Sequence, residues 1–568
     1  MKPKNFDFCK MRRCLPHVLS VLLLTVCTAF IMQYAVTQNG RRSSVETPNA
    51  GITDAAPDPI STAKQDAYEA VVLGSAFACG YDADALSGYL GISADTPIFS
   101  YRRLEHAKAL LRFAAAHGQP QAVFLTVSLS DLFAIPRPTA LLRAAKMPKE
   151  EALSCDDIHA FDDMERIGDL TTYRSEHAEN FTPMNAMQPL SVAKPLQILE
   201  DIRAFCQERE IELILVLSPE YAFPHTPAVA AFKAALAAQG PYWDFTENAI
   251  CNDPRFFYTA NECRKAVGNM VLARIFEDET VYVPDGFGVY VTPENLPPLS
   301  GFQPTDTGVE TIHVPILLYH HVTVEPGYGD SVISAARLEE HFTALRDAGY
   351  QTVSLKQLED YVLRGTPLPE NPICITFDDG YLSNYKLAFP LLEKYDMKAA
   401  IFVIGWAVGK DLYKETGTPM IPHFDFEQAR QMLESGRVEI QSHTYDMHQS
   451  EQLEGEENSR TSVLPLKEEK TDSYVQSLRD DFRKFAEQSE EQLGIKTEYL
   501  SYPHGLYSPL SEKIFAECGI KITMSTDYCG KNTLIKGLPQ SLRALYRFTV
   551  SESYDGEALV SMIRAFYS

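Results

Sequence analysis

The sequence predicts an α/β protein in two large parts, an open parallel sheet followed by a barrel of strand-helix units. Three observations carry this. Short apolar runs recur with helical patterns between them, the mark of βα units. The 568 residues are too many for one core. A Pro-rich stretch, Pro293 to Pro304, divides the two series of runs.

Each element follows in order. Lys2, Lys4, Lys10, Arg12 and Arg13 precede an apolar run from Leu15 to Val36. About 20 such residues cross a bilayer as one helix. Fewer basic residues follow the run (Arg41, Arg42), which keeps the tail inside. The expectation is a cytoplasmic tail over 1–14 and an uncleaved transmembrane signal anchor over 15–36. The chain would then sit in the cell membrane with a single pass and everything beyond it outside the cell. Residues 37–65, rich in Ser, Thr, Pro, Ala and Asp, cannot bury a core and read as a stalk.

The first large domain is expected over 66–299. Its strand-like runs are Ala70–Leu73, Ala122–Val127 and Leu213–Leu217, and helical patterns run over Leu104–Ala116 and Leu196–Glu208. Alternation of this kind implies a parallel sheet covered on both faces, a three-layer α/β domain. A linker spans 300–312, and a second domain fills 313–568.

The second domain carries seven strand-like runs: Pro315–Tyr319, Ile373–Phe377, Ala399–Ile404, Val438–Gln441, Tyr499–Tyr502, Ile520–Ser525 and Ala544–Val550. Helical patterns fall between most of them, for example over Ala335–Ala348, Leu382–Tyr395, Phe426–Ser435, Val475–Leu493 and Pro509–Glu517. Units of this number and size suggest a (β/α)7 barrel rather than an open sheet. Glu451 to Asp472 is polar and aperiodic, and reads as a mobile loop or insertion.

Composition narrows the partners. Apolar content of 45% and charged content of 22% are ordinary for globular protein. A formal charge of −25 argues against nucleic acid, which needs a basic footprint. It suits a neutral glycan. The 11 cysteines include no CxxC pair and no metal-type spacing. Cys251 and Cys263 read as core thiols, with a local disulfide as the alternative.

Reactive residues gather where the barrel runs end. The first ends in His320-His321, the second in Asp378-Asp379-Gly380, and the fourth leads into His443 and His448. The fifth leads through Tyr502 and Pro503 to His504, and Asp527 follows the sixth. Each piece alone is ordinary, since Asp-Asp-Gly is usually a turn. Repeated at the same end of successive strands, they describe a barrel active site. The residue types suit a metal hydrolase. Two histidines and one carboxylate can hold Zn²⁺ and leave a position for water. A second carboxylate can act as general base. Asp378 and Asp379 are adjacent, so one can bind metal while the other faces the water.

The blocks Thr376 to Gly380, Ser442 to Thr444 with His448, and Tyr502 to Gly505 resemble three motifs of the polysaccharide deacetylases, the NodB-homology domains of carbohydrate esterase family four. Pro315 to His321 resembles their entry strand. The resemblance implies a distorted barrel and one divalent metal ion, usually Zn²⁺. It implies Asp378 as base and Asp379, His443 and His448 as ligands. The implied reaction is removal of N-acetyl groups from N-acetylglucosamine residues of a cell-envelope polysaccharide, peptidoglycan or exopolysaccharide, with acetate released. An O-acetyl esterase and an inactive glycan-binding protein are the alternatives.

Two positions depart from that pattern. Tyr502 stands where an arginine often precedes the proline, and the last strand offers Arg547 but no histidine. The general acid therefore stays open among His504, His320 and His321, with Tyr502, His320 and His321 as substrate or oxyanion contacts. Arg547 could position another group. The first domain resembles SGNH-hydrolase-like domains in Val71 to Ser75 and Phe257 to Gly268. Ser75 is displaced by one place from the nucleophile position, and Thr259 and Glu262 stand where that family has Asp and His. A serine triad needs its base, so the domain is expected to be inactive.

Overall fold

The computed structural model describes residues 69–74, 80–81, 83–91, 98–100, 104–133, 162–164, 166–178, 180–181, 192–223, 226–260, 262–296, 309–455, 459–527 and 530–567. The expected anchor and stalk lie outside these residues, as does Ser75. Among the described residues no helix is long and apolar enough to cross a membrane. Residues 65–568 form one compact unit.

The first half is built on a six-stranded sheet. Its elements are β1 (Ala70–Gly74), α1 (Ala83–Leu90), β2 (Ile98–Ser100), α2 (Leu104–His117), β3 (Ala122–Val127), α3 (Ala193–Gln207), β4 (Glu212–Leu217), α4 (Pro227–Gln239), β5 (Tyr242–Asp244), α5 (Lys265–Ile275) and β6 (Val289–Val291). The spatial order is β2-β1-β3-β4-β5-β6, parallel except for the final antiparallel pair. Strand residues alternate between faces. Val71 and Leu73 join the core under α2, α3 and α4, while Val72 joins the core under α1 and α5. Both faces are covered, giving the three layers expected.

The second half follows as β7 (Ile316–Tyr319), α6 (Ala335–Asp347), α7 (Leu355–Arg364), β8 (Pro372–Phe377), α8 (Phe389–Tyr395), β9 (Ala399–Val403), α9 (Phe426–Glu434), β10 (Val438–Ser442), α10 (Thr471–Leu493), β11 (Tyr499–Ser501), α11 (Pro509–Glu517), β12 (Ile522–Ser525), β13 (Leu545–Tyr546), β14 (Phe548–Thr549) and α12 (Gly556–Tyr567). All seven strand-like runs are strands. Their order β13-β12-β11-β10-β9-β8-β7-β14 runs parallel throughout. The last run is split in two. Leu545 pairs with Met524 at one edge and Phe548 with Leu317 at the other. The ring is therefore nearly closed, and its one break falls at Arg547.

The pleat sets the layers. Ile316, Cys374, Ala400 and Phe402 fill the barrel, and Leu317, Ile375, Phe377 and Ile401 pack outward against the helices. The two halves share apolar contacts, since Ile535 and Leu538 sit in one cluster with Phe245 and Met270. Arg166 also donates to Gly530 O, Lys531 O and Asn532 Oδ1.

One expectation is corrected. The polar stretch from Glu451 to Asp472 is not a loose loop where it is described. Glu451–Glu454 is a helical turn, Val463 is fully buried, and Arg460 pairs with Glu469 at 2.6 Å. Aperiodic polarity concealed this because the segment is held by side-chain bonds rather than by an apolar stripe. Cys251 and Cys263 are separate buried thiols, and burial pushes both up to about 12.

Candidate active site and metal centre

The site sits where the barrel strands end. Asp378 follows β8 and continues the inward series of Cys374 and Thr376, so its carboxylate enters the barrel mouth. Arg547 enters from the break in the last strand. Its Nη1 and Nη2 donate to the two oxygens of Asp378, each at 2.7 Å. Nη2 also donates to Ser501 Oγ at 2.7 Å, and Ser501 Oγ donates to Asp378 Oδ2 at 3.0 Å. Burial alone would raise the Asp378 pKa. The Arg547 guanidinium and His443 outweigh it and hold the carboxyl well below the usual range. Asp378 is thus ionised and fixed in direction.

Asp379 turns away from this fork. It has φ +73°, in the left-handed region, and Gly380 follows at φ +81°. A Cβ on Gly380 would stand 2.7 Å from Val403 Cγ1, so the turn needs glycine there. Thr444 (φ +69°) and His504 (φ +56°) share this conformation. Three non-glycine residues in a costly region at one site mark it as functionally constrained.

Asp379 Oδ1 is buried and accepts no hydrogen bond. His443 Nε2 and His448 Nε2 each lie 3.7 Å from it, and all three atoms lie within 4.8 Å of one another. These separations are too long for hydrogen bonds. They suit an ion between the atoms, since bonds of about 2.0–2.2 Å in a tetrahedron separate ligand atoms by roughly 3.3–3.6 Å. His443 Nδ1 is turned to Ser501 O at 2.9 Å, which leaves Nε2 facing the centre. Burial lowers His443 to about 4, so the ring is neutral and able to ligate. Burial works against an ionised Asp379, but His448, His320 and His443 together keep its pKa below the ordinary value. The donor set fits one divalent ion.

The other expected residues divide. The His320 Nδ1 is buried without a partner, and its ring lies close enough to help lower both carboxylates. Asn384 Nδ2 fixes the His320 carbonyl at 2.8 Å. His321 is engaged elsewhere, with Nδ1 2.9 Å from Ser383 Oγ and its ring edge-on to Tyr381 at 5.3 Å. His504 stacks edge-on against His448 at 4.6 Å and is exposed at the mouth. Desolvation, then the neighbouring His448, lowers its pKa.

Tyr502 is a correction. Its ring is fully buried, stacked on Tyr507 and tilted against Phe515, and its hydroxyl faces Glu512. The pleat turns Ser501 inward and Tyr502 outward, so Tyr502 offers no side-chain contact to a substrate. The guanidinium that its position lacks comes from Arg547 at the break in the last strand, which reaches Ser501 beside Tyr502. Asp446, a neighbouring acid that could compete as base, is bound to Lys414 at 2.9 Å.

Three contributors carried no sequence signal. Ser501 links Asp378, Arg547 and His443. Tyr381 hydrogen-bonds Asp379 and lies 5.1 Å from the ring of His423. Burial lowers His423, and Asp379 partly offsets this. A lone serine, tyrosine or histidine has no spacing to betray it, although period-two counting from Tyr499 does place Ser501 opposite to Tyr502.

Comparison with known proteins points to one family. The family model described as Polysaccharide deacetylase matches residues 365–523. YxkH of Bacillus subtilis (strain 168), named for polysaccharide deacetylase, is 30% identical over 253 residues, which cover 44% of this chain and 76% of that protein. The poly-beta-1,6-N-acetyl-D-glucosamine N-deacetylase of Escherichia coli (strain K12) is 29% identical over 189 residues, 30% of this chain and only 28% of the relative. The Staphylococcus aureus (strain MRSA252) protein of the same name is 22% identical over 195 residues, 34% of this chain and 61% of the relative. Among solved structures, a de-N-acetylase from Aggregatibacter actinomycetemcomitans aligns with TM-score 0.39 and 23% identity over 44% of this chain and 99% of that one.

Proposed function

The chain belongs to the polysaccharide deacetylase family and is a hydrolase of that kind, and from that premise we propose that it removes N-acetyl groups from N-acetylglucosamine residues of an exopolysaccharide, using one divalent ion, Zn²⁺. The observation that carries the reading is the unpartnered Asp379 Oδ1 with two imidazole nitrogens at 3.7 Å, beside a carboxylate fixed by an arginine fork. The names of the E. coli and S. aureus relatives, which specify poly-beta-1,6-N-acetyl-D-glucosamine, favour a glycan of that kind over peptidoglycan.

Asp379, His443 and His448 would hold the ion. The chemistry such an ion supplies when bound is a lowered water pKa and a polarised amide carbonyl. Asp378 orients the attacking water and takes its proton. Arg547 and Ser501 keep that carboxylate ionised and aimed, at some cost in basicity. The departing amine needs a proton, and His320 is the donor favoured by its free Nδ1 near both carboxylates. Water adds to the acetyl carbon, the C–N bond breaks, and acetate and a free amine leave. Beyond the barrel, the reading keeps the membrane anchor at 15–36, an extracellular catalytic half and an SGNH-like first half without activity of its own.

The test is acetate release by the full chain from β-1,6-linked N-acetylglucosamine oligomers, from peptidoglycan and from an O-acetylated glycan. Release from the first alone is the expected result. Release from the O-acetylated glycan alone would replace the reading with an esterase.

A further inference from the structure

Both histidine ligands lie on one short loop, 443–448, that no regular element contains. Its backbone donors are accounted for almost one by one. His443 N donates to Val403 O at 2.9 Å, Thr444 N to Ser442 Oγ at 3.0 Å, and Met447 N to Thr444 Oγ1 at 3.1 Å. The two donors between them go elsewhere. Tyr445 N donates to Asp481 Oδ2 and Asp446 N to Asp481 Oδ1, both at 2.8 Å.

Asp481 sits mid-way along α10, 7% exposed, on the face that also buries Leu478 and Phe485. A carboxylate in such a place is expensive unless its bonds require it. These do. The fork takes up two adjacent N–H groups of a part-buried turn that no other group among the described residues accepts. The loop is held from the far side as well, with Gly405 N donating to Thr444 O at 3.0 Å and Trp406 N to Tyr445 O at 3.1 Å. A Cβ on Gly405 would come within 2.7 Å of the Tyr445 ring, so the clamp is tight. Lys484, one turn along α10, lies 5.8 Å from the centroid of that ring.

We propose that Asp481 is a positioning residue for the metal centre, fixing the loop between its two histidine ligands so that both nitrogens converge with Asp379 before any ion arrives. The inference rests on the reading of Asp379, His443 and His448 as ligands. Asn at this position keeps the size but can accept only one of the two bonds, and it presents an amide N–H to the other donor.

The experiment uses the full chain and compares wild type, Asp481→Asn and Asp480→Asn. Asp480 is the exposed neighbour that pairs with Arg483 and serves as control. Zn²⁺ affinity is read by competition with a chelating dye, on folded protein. Loss of an outer-shell partner typically weakens metal binding by about 10–100-fold, and this is expected for Asp481→Asn with Asp480→Asn unchanged. Turnover of Asp481→Asn should fall with KM unaltered and recover in excess Zn²⁺. Unchanged Zn²⁺ affinity in folded Asp481→Asn overturns the inference. Should that variant fail to fold, hydrogen exchange on the metal-free wild type decides. Slow exchange at the amides of Tyr445 and Asp446 is required, and rapid exchange there overturns it. If wild type binds no divalent ion, the ligand reading fails instead, and amide exchange alone judges the hold on the loop.

Discussion

The two halves present the same kind of surface, the carboxyl ends of parallel strands, and treat it in opposite ways. In the first half, polar groups described at the ends of β3, β4 and β5 satisfy one another. Ser128 Oγ lies 2.7 Å from Ser130 Oγ and donates to Glu220 Oε1 at 2.8 Å, and Ser130 N donates to both oxygens of Glu220 at 3.1 Å. Lys233, after β4 in sequence, meets Asp244 at 2.9 Å and Glu247 at 2.8 Å. In the barrel the corresponding groups are held from behind and left open in front, as with Asp379 Oδ1 and His320 Nδ1. Parallel sheets offer a site at this edge in both cases. The difference between the two edges is whether the inward polar atoms are aimed at each other or converge on a common point.

That contrast can be broken in order of effect. Asp378→Asn should keep the metal and lower turnover by about 10²–10⁴-fold, the usual weight of a general base. Metal content by elemental analysis and initial rates of acetate release check this, and near-normal turnover would move the base elsewhere.

Arg547→Gln should come next. With the guanidinium gone, burial dominates and Asp378 takes a higher pKa, so the acid limb of kcat/KM should shift to higher pH. Removing one partner of a buried pair typically costs about 3–5 kcal/mol of stability, which urea unfolding would register. An acid limb that does not move would mean that Arg547 does not set the charge of Asp378.

Changes at the closed edge should behave otherwise. Glu220→Gln leaves buried donors badly matched and should cost about 1–3 kcal/mol while acetate release per folded molecule stays the same. Ser75→Ala should likewise leave every activity unchanged, and a serine-directed phosphonate should not label 66–299. Stoichiometric labelling of Ser75 would give the first half a chemistry of its own.

The smallest effect is a change of slope. Burial raises Asp481 to about 6 from an ordinary 3.8. Between those values the folded chain holds a proton that the unfolded chain has released, so stability falls as pH rises through the window. The cost is absent below it and complete above it. Asp481→Asn removes the titration. Its stability relative to wild type should therefore increase from about pH 4 to pH 6, measured as urea midpoints of the metal-free chains.

How much of this the sequence disclosed depended on what carries each feature. The barrel strands were legible because each is a short apolar run with a helical pattern behind it. Asp378, Asp379, His443 and His448 were legible because they end those runs in a recurring arrangement. Arg547 was legible as a residue but not as a partner, since only barrel closure sets the last strand beside β7 and brings Arg547 to Asp378. Tyr502 was misjudged by one residue of pleat. Ser501 and Asp481 act through hydrogen bonds across long sequence separations, and Tyr381 through one bond to Asp379, and periodicity gives no sign of any of them. The segment after His448 was misread because ion pairs, not apolar spacing, hold it.

The most direct test follows acetate release from N-acetylglucosamine oligomers by the full chain as purified, after chelation, and after return of Zn²⁺. The account requires activity to vanish in the stripped protein and to return as one equivalent of ion per chain is restored. Undiminished acetate release from protein shown by elemental analysis to hold no divalent metal would contradict it.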